Sequence, residues 1–169
     1  HADIRPGPLS GAPERLTDTG HGFAAFSADD GVSGRELWVS DGTPLGTRKR
    51  SDLAPGAPAS NPADLVLNTE HTLVFVAEGP CAGGGTCRDL HTWYLPGDSI
   101  VAHSTRRRDA NWQPRGLVAL GDDRVLFSAF TAEDGRELWV ASYARQSARR
   151  VKDILPGAEG SDPGGFAAL

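Results

Sequence analysis

With 169 residues, 38% of them hydrophobic and 7% aromatic, the chain suits one ordinary domain or part of a larger one. No window approaches the ~18 consecutive apolar residues that a membrane-spanning helix needs, and the net charge of −5 argues against a phosphate-binding face for nucleic acid. Twenty-one glycines and 12 prolines call for a core made of short segments between many turns.

The first unit, residues 1–51, opens on Asp3 in "DIRPG" and reaches Pro13 ten residues later. Leu16 follows three residues on, Phe26 thirteen on and Ala28 fifteen on. The segment "GFAAFSA" is short, apolar and aromatic, which suits a strand. Next comes "GRELWVSDGT", residues 34–43, where Leu37 and Trp38 predict another strand. Asp41-Gly42 predicts a type I′ hairpin, with Asp41 and Thr43 bonding its backbone. Asp29, Asp30 and Glu36 read as an exposed acidic turn. They are weak candidates for calcium, because the alternating Asp-x-Asp-x-Asp-Gly order of a dedicated site is missing.

The second unit, residues 52–103, repeats the phrase with Asp52, Pro62, Leu65, Phe75 and Ala77. It departs at the Glu-Leu-Trp core, which becomes Asp89-Leu90-His91 with Trp93 two residues later. Pro96-Gly97-Asp98 supplies a turn. Cys81 and Cys87 flank five small residues in "EGPCAGGGTCRD", close enough for a local disulfide and hence an oxidising compartment. Free thiols and a metal site are the competing readings, although zinc wants four ligands in tighter pairs.

The third unit, residues 104–152, begins with the solvated run Arg106-Arg107-Arg108 and then shows Pro114, Leu117, Phe127 and Ala129. Its "GRELWV" matches the first unit, but "ASYARQS" stands where Asp-Gly-Thr would be. Glu133, Asp134 and Glu137 form a second acidic turn with the same weak claim on calcium. Residues 153–169 start the phrase again, with Asp153 in "DILPG", Pro163 and Phe166.

Pro13, Pro62, Pro114 and Pro163 are spaced by 49, 52 and 49 residues. A phrase that recurs at such intervals is architecture before it is chemistry. Each unit reads as four strands: after the proline, around the phenylalanine, around Leu-Trp, and into Asp-x-x-Pro-Gly. The expected fold class is all-β, a β-propeller of three blades with the opening of a fourth. Trp38, Trp139, Phe26, Phe75 and Phe127 are expected to fill the spaces between or within blades. From Glu36-Leu37-Trp38 and Asp41-Gly42-Thr43 through Asp52, Pro55-Gly56 and Pro62, the chain resembles the ELWxxDGT repeat family. Those are tandem units of large bacterial secreted or cell-surface proteins. The resemblance implies a propeller and a secreted or surface location, and it implies no particular activity.

Catalytic signals are absent from the spacing. No serine stands in a Gly-x-Ser-x-Gly elbow, and "CAGGGTC" lacks the Lys-Ser/Thr of a phosphate loop. The five histidines, His1, His21, His71, His91 and His103, show no i, i+4 pairing on a helix. An amino-terminal histidine can hold copper through its amine and ring, but a partner for His1 would have to come from elsewhere. The absence of any methionine and the start at His1 suggest a processed or excised segment. No cofactor is expected beyond the weak calcium sites. The expectation is a non-enzymatic scaffold or binding module presenting loops to protein or glycan. The rivals are a sialidase-like propeller hydrolase and a calcium-stabilised adhesion module. Since closed propellers have about four to eight blades, a protein partner or second copy is expected to complete the ring.

Overall fold

The computed structural model describes residues 3–55, 58–69, 71–81, 84–95, 100–103, 112–145 and 147–167, with backbone only at 69 and 101–103. The Pro96-Gly97-Asp98 turn, the Arg106–Arg108 run and His1 lie outside these residues. The chain forms three antiparallel four-stranded sheets, and no helix occurs among the described residues. The first holds β1 (Glu14–Asp18), β2 (Ala24–Asp29), β3 (Arg35–Ser40) and β4 (Arg48–Lys49). The second holds β5 (Ala63–Thr69), β6 (Thr72–Pro80), β7 (Thr86–Tyr94) and β8 (Ile100–His103). The third holds β9 (Arg115–Ala119), β10 (Arg124–Thr131), β11 (Gly135–Ser142) and β12 (Ser147–Lys152). Within each sheet the strands lie in chain order.

The repeat sets which face each side chain takes, because strand residues alternate between faces. Phe26 pairs with Trp38, Phe75 with His91 and Phe127 with Trp139, at matching places in the three sheets. Phe75 and Trp93 pack with Ala25, Leu37 and Val39 of the first sheet. Phe127 and Trp139 pack with Val74, Val76 and Leu90 of the second. Each Phe-bearing face therefore meets the opposite face of the preceding sheet. Phe26, Ala28 and Trp38 have no preceding sheet, and Ile4 packs on them instead. All five predicted anchors are buried, with Phe75 and Phe127 wholly so. Full burial of one such side chain stabilises by about 1.5–3 kcal/mol.

The first strands share a defect. Glu14 to Thr17 opposes Ser27 to Ala25, and the same bulge recurs between Ala63 and Val66 and between Arg115 and Val118. All the described non-glycine residues with positive φ fall at two places in this scheme. Ala12, Asn61, Gln113 and Asp162 precede the four prolines, while Arg15 and Asp64 follow theirs by two. Gly116 and Gly165 take that second place in the remaining units. Backbone strain of this kind often marks a functional site. Here it recurs at repeat positions: in the three sheets the second place lies within the bulge, which bends and twists the strand, and the first lies just ahead of it. Strands β1, β5 and β9 are thereby brought side by side along one edge of the stack.

Two expectations need correction. Asp41-Gly42 is not a type I′ hairpin, since Gly42 has positive φ and Asp41 does not. Residues 41–47 form a longer loop between β3 and β4. Glu36 and Glu137 are not in exposed turns: both are 0% exposed, because each reaches back from its strand to fasten the chain that leaves the sheet. Leu16 stands where Leu65 and Leu117 are buried, yet it is 68% exposed, the outcome expected of an apolar side chain at the uncovered first unit, because β1 has no earlier first strand beside it.

Candidate functional site

The buried carboxylates come first, because an acidic group without solvent needs a reason. Glu36 accepts hydrogen bonds from Ser60 Oγ at 2.6 Å, Ser60 N at 3.0 Å and Leu53 N at 3.2 Å. Glu137 accepts them from Ser161 Oγ at 2.7 Å, Ser161 N at 2.9 Å, and the amides of Ile154 and Leu155, both at 3.2 Å. Two repeats apart, the same glutamate pins the same serine and the same Asp-x-x-Pro-Gly segment. The preceding arginine does likewise. Arg35 donates to Ala12 O at 2.9 Å and Ser27 Oγ at 3.0 Å, and Arg136 donates to Gln113 O at 2.9 Å and Ser128 Oγ at 3.2 Å. Burial raises the Glu36 carboxyl above its ordinary range despite these bonds. For Glu137 burial also pushes upward, but the Ser161, Leu155 and Ile154 bonds outweigh it and leave the group below that range. Ser60→Ala removes a bond to this carboxylate and is expected to destabilise by about 2 kcal/mol, read from the urea midpoint.

The remaining acidic candidates are engaged as well. Asp29 pairs with Arg5 at 2.7 Å. Asp30 caps its own turn through Ser33 N and Oγ, both at 2.7 Å, and Val32 N at 2.9 Å. Asp134 bonds Thr131 and Arg150, while Glu133 is exposed. Among the described residues, no group of three or more His, Cys, Asp or Glu side chains is placed to hold a metal. Asp41 accepts from Thr43 N at 2.9 Å and Thr43 Oγ1 at 2.7 Å. The Thr43 hydroxyl and amide hold this carboxyl below its ordinary range. Thr43 Oγ1 accepts in turn from Gly46 N at 3.0 Å. A side chain on Gly46 would occupy the place of the Asp41 carboxylate. The Asp-Gly-Thr motif is thus a self-bonded loop. Cys81 and Cys87 form a disulfide across the β6–β7 turn, where the other sheets have their acidic turns.

No family model matches this chain, and no similar curated protein or solved structure was found. Its chemistry is therefore read from its own geometry. The adjacent first strands β1, β5 and β9 bring charged groups of different sheets together. Asp64 on β5 accepts from Gly116 N at 2.8 Å, bridging to β9, and Arg115 and Arg136 both pair with Asp162. These are repeat positions used to join neighbouring strands.

One juxtaposition is not evident from the motifs. His21, in the β1–β2 turn, places Nε2 3.0 Å from Nδ1 of His71, in the β5–β6 turn. Their separation of 50 residues matches the repeat spacing, and that period would have found them where a helical i, i+4 search could not. In the next sheet the same turn carries Asp122 and Asp123, and Asn68 Nδ2 donates to Asp122 O at 2.6 Å.

Proposed function

We propose that the three sheets are successive blades of a β-propeller that acts as a non-enzymatic scaffold or binding module of a secreted or cell-surface protein. One observation carries this reading: the residues that resemble chemistry, Arg35, Glu36, Arg136 and Glu137, are spent on internal bonds at repeat positions. The face-to-face stacking, with β1, β5 and β9 together at one edge, supports the propeller. The disulfide fits secretion. Among the described residues the outer faces of the stack meet no further sheet: one buries Phe26 and Trp38 beneath Ile4, and the other leaves Leu126 and Leu138 half-buried. A second copy, or a further segment of a longer precursor, completes the ring across these faces. Loops such as 41–47 then face a protein or glycan partner, and calcium has no part in the reading.

A panel of chromogenic glycosides, run beside a glycan array, tests this against the hydrolase reading. Retention on the array without turnover is expected. Turnover that disappears on Asp64→Asn, an inner-strand carboxylate, would overturn it.

A further inference from the structure

We infer that His21 and His71 form a two-imidazole site for a tetragonal divalent transition-metal ion, Cu2+ above all. Both rings are exposed, and each stands on a hairpin of a different sheet. His21 is aimed by a hydrogen bond: its Nδ1 lies 2.8 Å from Thr19 O. A carbonyl only accepts, so Nδ1 carries the proton and Nε2 presents its lone pair to His71. This outer bond is the usual one behind a metal-binding histidine, because it sets the tautomer and the ring direction. The carbonyl is itself held, since Thr19 is buried and donates through its amide and hydroxyl to Phe23 O at 3.0 and 2.8 Å.

The spacing favours particular metals. Two nitrogens 3.0 Å apart, each about 2.0–2.1 Å from a shared ion, subtend an angle of about 95° there. That is close to the right angle between adjacent ligands in a tetragonal field, and narrower than a tetrahedral site wants. Cu2+ and Ni2+ take tetragonal nitrogen sites, and Cu2+ binds more tightly than Zn2+ or Ni2+ at a given site. Binding asks for a small rotation of the two exposed rings, so that both lone pairs meet off the line between them. His71 then carries its ring proton on Nε2 and ligates through Nδ1. Water completes the coordination. Because the ion ties the first sheet to the second, it should also raise their joint stability.

Titrating the full chain with Cu2+ at mildly alkaline pH tests the site, in a His1→Ala background that removes the terminal ring as a competitor. Electron paramagnetic resonance is expected to show two imidazole nitrogens at one equivalent of metal, with a rise in melting temperature. His21→Ala and His71→Ala should each weaken binding by about tenfold or more, leave one nitrogen in the spectrum and abolish the thermal shift. His71→Gln, which keeps the side-chain bulk and polarity, should behave as His71→Ala does. A spectrum with one imidazole in the parent, or affinity unmoved by either substitution, would overturn the proposal.

Discussion

Trp139→Ala is expected to lower the stability of the chain by about 3–5 kcal/mol, and Trp38→Ala by clearly less. The two tryptophans occupy the same place in their repeats, so a purely local cost would be equal. Their neighbours differ. Trp139 is sandwiched between the third sheet and the second, in the cluster that holds Val74, Val76, Leu90 and Phe127. Trp112 packs on it edge to face at 5.8 Å and on Phe127 at 5.1 Å, a geometry that adds to plain burial. Trp38 packs with Phe26, Ala28 and Ile4, and a segment as slight as the one carrying Ile4 can close over a truncated side chain. The second sheet shows how the position tolerates change. His91 stacks on Phe75 at 5.5 Å, and Trp93, covered by the Arg50 guanidinium at 4.6 Å, restores the lost bulk two residues on. Urea unfolding of both variants gives the comparison. Equal losses at unchanged m-value would mean that stacking of sheets contributes nothing special to the core.

Much of this fold was legible because the chain repeats. Prolines at near-equal intervals marked where each sheet begins, and the Phe and Trp positions named its buried pairs. The disulfide was legible from the small residues between its cysteines. What failed were inferences drawn from one unit alone. Glu36 looked like part of an acidic turn because its neighbours are acidic, yet its partner Ser60 lies 24 residues away, across a segment with no periodicity of its own. Asp41-Gly42 looked like a hairpin, but Thr43 and Thr47 offer the backbone other bonds and widen the loop. The histidine pair was hidden for a different reason. Its two members lie in separate units, and only the stacking of sheets brings their turns together.

Asp89→Asn is expected to stabilise the chain at neutral pH. Asp89 stands where Glu36 and Glu137 stand in the other sheets, and it is one methylene shorter. The serine of those clamps, Ser60 or Ser161, is replaced at the matching place by Trp112, which can donate from its indole but has no hydroxyl. The Asp89 carboxylate accepts from its neighbour, Leu90 N at 2.8 Å. Burial prevails over that bond and raises the carboxyl to about 6. An unfolded aspartate titrates near 3.9, so the folded state binds the proton more tightly. Its contribution to stability is therefore full below about pH 4, falls as the pH rises towards about 6, and stays lost above that. Moving the carboxyl from its unfolded value to about 6 corresponds to roughly 3 kcal/mol. Asparagine keeps the acceptor for Leu90 N and carries no charge to bury. The substitution should therefore change little near pH 4 and stabilise by up to about 3 kcal/mol near pH 7, read from urea midpoints across that range. Glu137 runs the other way: its carboxyl is lowered in the fold, so its contribution is present above the unfolded value and lost as the pH falls. The parent should consequently lose stability on both sides of a maximum, and Asp89→Asn should reduce the decline on the alkaline side, to which the raised Glu36 carboxyl also contributes, while leaving the acid side unchanged. A stability difference between parent and variant that stayed constant with pH would mean that Asp89 titrates alike folded and unfolded, and that this carboxylate does not bear the cost of its burial.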